Sequence, residues 1–480
     1  MLSDDPPERR SACLVVPGCL IRQHPAQREL TRAGWDVDVF AADTVGDLPR
    51  DAQVREHHGN GPAELSDRVR YWLEARHRER QYGLIAFVGQ GGLGFRSVQA
   101  KRAGLAFGDV PIAVILDGNS QRDREAGQRW PSGFVDVETD YIERYQFENA
   151  DEQHTPDAEL VEFVKRNHWA MRNGAKNTSP LPAPNSGTSQ EAAPLVTLAI
   201  AHYNLGAYFP DTLATLAAQT YPNLEVIAID DGSTDAASIE TFEAMRTKYP
   251  RFTFLRQPNA GIGVTRNRCL ELARGEFFIP VDADNLATPE MVATFVRAMQ
   301  RNPELAAMSS YFLAFDVPAP GFVPEQFLYA LRPTGGPHAL ASIRNVYGDA
   351  NAIFRTPALR AVDGYETDRG TSCEDWEAFV KLVHAGHRLG VVPAHLFYYR
   401  HRPGGFSRST NWFANHQRVL RQFAHAGNLP PADALAAWTT LLGFYQELER
   451  RKQAVPPRRH RAADWLRSLL RKPFEWLKRS

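Results

Sequence analysis

The feature that most constrains the fold is an abrupt change from apolar to acidic residues near the middle of the chain. Residues 277–281 (Phe-Phe-Ile-Pro-Val) are apolar, and Asp282-Ala283-Asp284-Asn285 follows them directly. A short apolar run bounded by polar residues is typical of a strand buried in a parallel sheet. Ligands of open α/β sheets bind at the carboxyl ends of strands, so these carboxylates predict a site for Mg²⁺ or Mn²⁺. Paired acids of this kind are also common as ordinary turn residues.

Two stretches upstream extend the pattern. Residues 196–204 (Val-Thr-Leu-Ala-Ile-Ala-His-Tyr-Asn) and 224–231 (Leu-Glu-Val-Ile-Ala-Ile-Asp-Asp) are apolar and end in polar residues, and a helical pattern lies between them. Two strands joined by a helix form a βαβ unit with parallel strands. Because the carboxyl ends of parallel strands share one edge of a sheet, we expect Asp231 and Asp282 to face one crevice.

A series of short motifs continues through the second half of the chain. In chain order they are Ala-His-Tyr-Asn, Asp-Asp-Gly-Ser-Thr-Asp, Asn259-Ala-Gly261, Thr265-Arg266-Asn267, Gly275-Glu276, Asp282-Ala283-Asp284, Gly348-Asp349-Ala350-Asn351, Gly364-Tyr365, Cys373-Glu374-Asp375-Trp376 and Tyr399-Arg400-His401-Arg402-Pro403-Gly404. This order closely resembles the inverting nucleotide-sugar glycosyltransferases of family 2, which have the GT-A fold. Several independent motifs in one order make a chance match improbable.

The resemblance implies transfer of a sugar from a nucleoside-diphosphate sugar to a glycan or lipid-linked acceptor, in the synthesis of a bacterial surface polysaccharide. It implies inversion at the anomeric carbon and a need for Mn²⁺ or Mg²⁺. The implied metal ligands are Asp284, Asp282 and His401. The implied nucleotide-sugar site consists of Ala201, Tyr203, Asn204, Asp231, Asn259, Gly261, Arg266, Asp282, Ala283, Asp284, Arg400 and Arg402.

The reaction also needs a group that removes a proton from the attacking acceptor hydroxyl, and a carboxylate suits this role. The resemblance places this base in the pair Glu374-Asp375. The apolar face of the helical pattern that follows predicts Asp375 at its edge and Glu374 on the solvent side, which favours Asp375 as the base. The spacing from Ser372 to Asp375 is also that of a capping box, which would give Asp375 a structural role.

The basic residues Arg400, His401 and Arg402 follow an apolar run and precede a proline. Guanidinium groups pair bidentately with phosphate oxygens, so this segment is a candidate for closing over the diphosphate of a donor. A solvated basic turn is the alternative.

Composition indicates more than one domain. The chain has 480 residues, 43% of them hydrophobic, and a net charge of −1. This length exceeds what one core usually supports, and the neutral balance does not favour a nucleic-acid partner. A small, polar, proline-rich stretch at 176–194 predicts a linker between an amino-terminal domain (1–175) and a catalytic domain (195–430).

A basic amphipathic tail is predicted at 431–480. Within it, residues 458–480 alternate tryptophan and leucine with arginine and lysine, which suits an anionic membrane surface or packing on the enzyme itself. The acidic start and the lack of a long apolar run predict a cytoplasmic protein, at the cytoplasmic face of the inner membrane if the tail binds lipid.

The amino-terminal domain contains Gly89-Gln-Gly91-Gly-Leu-Gly94 after a predicted strand, with Asp117 at the end of the next. This is the dinucleotide-binding pattern, and it predicts an NAD site. Residues 91–169, however, resemble the amino-terminal half of a family 4, GT-B glycosyltransferase. We therefore expect a Rossmann-like, degenerate GT-B half domain beside the α/β, GT-A catalytic domain. A dinucleotide-dependent enzyme, a nucleotidyltransferase and a non-catalytic sugar-nucleotide-binding scaffold are the alternatives.

Overall fold

The computed structural model describes residues 10–18, 24–42, 54, 61–171, 193–316, 327–402, 405 and 409–425. These residues form two sheets, each with helices packed against it. The predicted tail and most of the predicted linker lie outside the described residues. In the described part of the chain, no helix combines the length and the apolar character needed to cross a bilayer.

The amino-terminal domain is built on a parallel sheet of five strands in the order β2-β1-β3-β4-β5. The strands are β1 (Ser11–Val16), β2 (Asp36–Ala41), β3 (Leu84–Val88), β4 (Ile112–Ile115) and β5 (Glu152–His154). The helices are α1 (Pro25–Arg32), α2 (Pro62–Glu79), α3 (Phe95–Arg102), α4 (Ser120–Ala126), α5 (Phe134–Asn149) and α6 (Ala158–Arg166). This is a doubly wound order, which confirms the predicted Rossmann-like α/β architecture.

The second domain is built on a mixed sheet of nine strands. The strands are β6 (Val196–His202), β7 (Leu224–Asp230), β8 (Thr253–Arg256), β9 (Phe277–Asp282), β10 (Leu286–Ala287), β11 (Leu305–Asp316), β12 (Tyr329–Leu331), β13 (Ile353–Arg355) and β14 (Arg388–His401). The helices are α7 (Phe209–Ala217), α8 (Ala236–Lys248), α9 (Ile262–Leu272), α10 (Met291–Arg301), α11 (Thr356–Ala361), α12 (Glu374–His384) and α13 (Trp412–His425).

The strand order in this sheet is β10-β14-β11-β13-β9-β6-β7-β8, and β12 pairs with β11. Strands β9, β6, β7 and β8 are parallel, whereas β13 runs antiparallel to both of its neighbours. Alternate residues of β6 enter opposite cores: Leu198 and Ile200 pack with α7, α8 and α10, while Ala199 packs with α9, α11 and α12. The predicted α/β fold, with helices on both faces of a mixed sheet, is confirmed.

Helix α3 joins the two domains. Arg96 is 1% exposed, and its guanidinium donates to the main-chain oxygens of Pro333 (2.9 Å) and Arg332 (3.0 Å). The same guanidinium lies 3.5 Å from the carboxylate of Asp67, which accepts a hydrogen bond from the Tyr311 hydroxyl at 2.9 Å. Because buried polar groups need partners, these contacts bind the domains together rather than merely placing them side by side.

Candidate active site

The site forms where three parallel strands end at one edge of the second sheet. Ala201 of β6 is paired with Ile229 of β7 on one side and with Asp282 of β9 on the other. Asp231 follows directly after β7, so the structure places Asp231 and Asp282 at the same edge of the sheet. The βαβ pattern in the sequence predicts this arrangement.

Asp231 organises the loop that follows β8. Its carboxylate accepts hydrogen bonds from the backbone N–H groups of Ala260 (2.9 Å) and Gly261 (2.8 Å), and from the side chains of Gln257 (2.7 Å) and Asn259 (3.3 Å). Gly261 adopts a φ of 98°, which favours glycine. The predicted nucleotide residues Asp231, Asn259 and Gly261 are therefore in contact with one another. These hydrogen bonds involve both carboxylate oxygens of Asp231, so a nucleotide that bonds to this carboxylate would have to replace some of the present donors.

Asn204 ties the end of β6 to the loop after β7. Its side-chain oxygen accepts from the backbone N–H groups of Thr234 (2.8 Å) and Asp235 (3.0 Å), and its own φ of 51° lies in the left-handed region. Its neighbour Tyr203 is 43% exposed beside the same edge. An exposed aromatic ring at a strand end offers a stacking surface for a planar group.

Arg266 connects the two acidic motifs. Its guanidinium donates to Asp282 at 2.8 Å and to Glu374 at 2.6 Å, and the arginine side chain is 3% exposed. Burial raises the pKa of Asp282 to about 7 despite this arginine, because Asp349, Asp284 and Glu374 add negative charge nearby. Ala283, between the two aspartates, is buried in the core and fixes the turn. Residues that are far apart in the chain thus share one charged cluster.

Asp284 is held by the end of β14. Its carboxylate forms an ion pair with Arg402 at 2.5 Å, and its main-chain oxygen accepts from Arg400 at 2.8 Å. Arg400 is 3% exposed and also pairs with Asp211 at 3.2 Å, so this arginine fastens the strand to the acidic turn. Arg402 is more exposed than Arg400. Of the two arginines, Arg402 is therefore better placed to meet a phosphate.

His401 does not join Asp282 and Asp284, which corrects the implied set of three metal ligands. Its ring lies 3.9 Å from Asp316 and packs edge-on against Tyr329. Side chains alternate between the two faces of a strand, so a residue between Arg400 and Arg402 points away from Asp284. Among the described residues, no three His, Cys, Asp or Glu side chains form a group able to hold a metal ion.

Helix α12 begins at the candidate base. Its cap is Cys373, with a φ of 73° and no side-chain hydrogen bond to the helix, whereas Ser372 bonds to Asn415 and Thr410. The capping-box interpretation of Ser372 and Asp375 is therefore wrong. A non-glycine residue in the left-handed region is strained, and such strain is often found at functional sites.

Glu374 and Asp375 have different environments. Glu374 is 6% exposed and paired with Arg266, so the prediction that it faces solvent is wrong, because that side of α12 packs on α9. Asp375 is half-buried, and one of its oxygens accepts from the N–H of Trp376 at 2.7 Å. Loss of solvent, together with the charges of Glu374 and Asp349, raises the pKa of Asp375 to about 8.

Asp349 lies at the site but is not among the site residues predicted from the sequence. It precedes β13, which runs antiparallel to β9, so this segment lies at the carboxyl end of β9 beside Asp282. Its carboxylate raises the pKa of both Asp282 and Asp375. It belongs to the motif Gly348-Asp349-Ala350-Asn351, which is part of the family resemblance, but that motif did not suggest a role for its carboxylate. The antiparallel pairing of β13 with β9 brings Asp349 to the site.

The glycine-rich loop of the amino-terminal domain is occupied by protein side chains. The Gly91 N–H donates to the carboxylate of Glu143 at 2.6 Å, and the Gly94 N–H donates to Gln146 at 2.8 Å. In a dinucleotide site, such N–H groups bind the pyrophosphate. Asp117 is also engaged, at 2.7 Å from His24. The glycines allow α5 to pack on the loop. Because α5 side chains already bind these N–H groups, the structure does not support the predicted dinucleotide site.

The fold is an α/β domain whose carboxylates and arginines gather at the carboxyl ends of parallel strands. Residues 197–362 match the model of the family described as Glycosyl transferase family 2. This match agrees with the resemblance that the motif order predicts, and all of the matched residues lie in the second domain.

Three curated relatives show the extent of the similarity. The chain is 42% identical over 94 residues to the glycosyltransferase YibD of Escherichia coli K12, covering 20% of this chain and 27% of YibD. It is 27% identical over 184 residues to the glucosyl-dolichyl phosphate glucuronosyltransferase of Haloferax volcanii, covering 36% and 57%. It is 31% identical over 115 residues to a chondroitin synthase of Escherichia coli, covering 24% and 17%. The chain thus spans at most 57% of the length of these three relatives.

Two solved structures are similar to part of this chain. TarS residues 1–349 of S. aureus, in complex with UDP-GlcNAc, has 19% sequence identity and a TM-score of 0.42, covering 52% of this chain and 72% of that chain. The mannosyltransferase PcManGT of Pyrobaculum calidifontis, in complex with GDP-Man and Mn²⁺, has 20% identity and a TM-score of 0.40, covering 65% and 88%. The similarity to the glycosyltransferase family lies in residues 197–362.

Proposed function

We propose that this protein is an inverting glycosyltransferase that transfers a sugar from a nucleoside-diphosphate donor to a glycan or lipid-linked acceptor. The observation that carries the proposal is the contact of Arg266 with both Asp282 and Glu374. It brings the carboxylates of the strand end into one site with the candidate base Asp375. A leaving diphosphate and an attacking hydroxyl need charged groups on opposite sides of the sugar.

A divalent cation fits the residues at the strand end. Mg²⁺ is usually bound through one or two carboxylates and the phosphates of the substrate, not by a cage of protein ligands. Asp284 and Asp282 provide two carboxylates, and the raised pKa of Asp282 marks an excess of negative charge that a cation would relieve. A bound Mn²⁺ or Mg²⁺ would neutralise charge that develops on the leaving diphosphate.

Side chains of the protein would bind the phosphate, remove the proton and fix the geometry of the site. Arg402, which is more exposed than Arg400, would pair with a phosphate oxygen of the donor. Asp375 would accept the proton of the acceptor hydroxyl, because its carboxylate is half-buried and is not committed to a cation, whereas Glu374 is held by Arg266. Arg266 would keep both halves of the site at a fixed separation.

The biological setting is proposed from the relatives. A chondroitin synthase and a dolichyl-phosphate-linked transferase are among the proteins similar to this chain. We assign the protein to bacterial surface polysaccharide synthesis, at the cytoplasmic face of the membrane where lipid-linked acceptors are found. The amino-terminal domain would then be a degenerate GT-B half that supports the catalytic domain, since its glycine loop is filled by Glu143 and Gln146.

Binding of nucleotides by the full chain tests the proposal. UDP or GDP should raise the melting temperature in the presence of Mn²⁺ and not in the presence of EDTA, because a ligand that binds only the folded state stabilises it. Asp284→Ala should abolish this effect, whereas Asp109→Ala, at an exposed position of the amino-terminal domain, should retain it. The metal assignment fails if Asp284→Ala keeps the Mn²⁺-linked stabilisation. The proposed activity fails if the wild type transfers no sugar from UDP- or GDP-sugars.

A further inference from the structure

Asp349 lies near both functional ends of the site. It lies beside Asp282 because β13 runs antiparallel to β9, and its charge acts on both Asp282 and Asp375. In an inverting transfer the acceptor attacks the anomeric carbon from the side opposite the leaving diphosphate. The transferred sugar therefore occupies the space between the metal-binding carboxylates and the base.

The carboxylate of Asp349 is held in a fixed orientation. Its Oδ1 accepts from the backbone N–H of Asn351 at 3.0 Å and from the Asn351 amide at 2.6 Å. Within the described part of the chain, its Oδ2 accepts no hydrogen bond. One oxygen is thus bound to the protein, and the other is available to a ligand.

Buried oxygens next to this position also lack donors. Glu374 Oε2 and Asn351 Oδ1 have no hydrogen-bond partner among the described residues, although their side chains are only 6% and 1% exposed. A buried acceptor without a donor is costly, so native structures rarely leave one unsatisfied. These two oxygens are enclosed by protein, whereas Asp349 is half-buried, so its unbonded Oδ2 is the acceptor that a sugar hydroxyl reaches.

We propose that Asp349 binds a hydroxyl group of the transferred sugar and thereby determines which sugar the enzyme accepts. This inference rests on the proposed glycosyltransferase function and deepens it. The hydroxyl donates to Asp349 Oδ2, and no covalent bond is formed or broken in this contact. Asp349 is a substrate-binding residue that is separate from the metal ligands and the base.

The test compares ligands that differ only in the sugar. Affinities of UDP, UDP-glucose and UDP-N-acetylglucosamine, and of GDP and GDP-mannose, are measured by calorimetry with Mn²⁺. Asp349→Ala should leave UDP and GDP binding within twofold of the wild type. It should weaken the preferred sugar nucleotide by about ten- to hundredfold, the usual range for a lost hydrogen bond to a charged group. Asp349→Asn should retain part of the affinity, because its amide can donate to the same hydroxyl.

Deoxy analogues of the preferred donor identify the hydroxyl. The analogue that lacks the partner hydroxyl should bind the wild type about as weakly as the natural donor binds Asp349→Ala, and should lose nothing further in that variant. Equal weakening of the nucleoside diphosphate and its sugar would assign Asp349 to the diphosphate or metal and overturn the inference. Unchanged binding of both would also overturn it. A wild type that binds no sugar nucleotide would instead overturn the proposed function itself, and Asp109→Ala checks that the charge change alone has no effect.

Discussion

Glu374 and Asp375 are neighbours in the chain, and tertiary contacts separate their roles. Glu374 forms an ion pair with the buried Arg266, whereas Asp375 is half-buried in the first turn of α12. Cys373 supplies the helix cap in a left-handed conformation, so Asp375 is not required to cap the helix. These surroundings favour Asp375 as the base for a reason independent of the family resemblance.

Replacing Asp375 by Asn should separate catalysis from folding. The amide can still accept from the Trp376 N–H, so the free energy of unfolding should fall by at most about 1 kcal/mol. The amide cannot act as a base, so turnover should fall by roughly two to four orders of magnitude with donor affinity nearly unchanged. Wild-type turnover should also rise as pH increases towards about 8, the pKa of Asp375. Steady-state kinetics and urea unfolding measure these effects, and near-normal turnover in Asp375→Asn would make Glu374 the next candidate.

The raised pKa of Asp375 also predicts how stability depends on pH. Between pH about 4 and about 8 the folded state holds a proton that the unfolded chain releases. The resulting stabilisation is complete below about pH 4 and is lost as pH rises through about 8. Because asparagine does not titrate, the free energy of unfolding of Asp375→Asn should decline less steeply between pH 5 and 8 than that of the wild type. Urea unfolding of the metal-free and nucleotide-free protein checks this, and equal slopes in both proteins would contradict it.

At the scale of elements, the loop after β3 shows how one glycine pattern can serve two purposes. Gly91 and Gly92 both have positive φ, but only at Gly92 would an added side chain meet a neighbouring element. A Cβ on Gly92 would lie 2.4 Å from Ile142 of α5, while a Cβ on Gly91 would meet nothing within 4 Å. The pattern therefore reflects packing of α5 on the loop, and Glu143 takes the position that a phosphate would need.

Alanine substitutions in this loop should differ in cost. Gly92→Ala should lower the free energy of unfolding by about 2–4 kcal/mol, because overpacking adds to backbone strain. Gly91→Ala is the matched control and should cost about 1–2 kcal/mol from strain alone. Urea unfolding compares the two variants. NAD(H) should not raise the melting temperature of the wild type, and a clear NAD(H) shift would restore the dinucleotide interpretation.

The whole molecule depends on a polar interface between its domains. Arg96 of the amino-terminal domain donates to carbonyl groups of the segment after β12, and Asn302 at the end of α10 donates to the carbonyl of Arg102 at 3.0 Å. Ala103, directly after α3, belongs to the hydrophobic core of the second domain. The second domain thus has part of its core completed by the amino-terminal domain.

Loss of Arg96 should therefore destabilise both domains. Arg96→Leu leaves the buried Asp67 without this cation and removes the guanidinium that donates to the carbonyl groups of Arg332 and Pro333, which should cost about 3–5 kcal/mol. Arg78→Leu, on the exposed part of α2, is the matched control and should change stability little. Urea unfolding followed by tryptophan fluorescence and by loss of nucleotide binding should give one shifted transition. Two transitions, with nucleotide binding unaffected, would mean that the catalytic domain folds independently.

The sequence by itself determined the two α/β sheets and the acidic edge. Apolar runs that end in Asp231 and Asp282 specify parallel strands and place these carboxylates at one edge, because this follows from local periodicity and parallel topology. The roles of the side chains depended on long-range contacts. Pairing of Arg266 with Glu374, the orientation of His401 away from Asp284, and the approach of Asp349 through antiparallel β13 each join residues from distant segments. Only the tertiary structure decided them, because spacing along a chain does not encode which face of a packed element meets another.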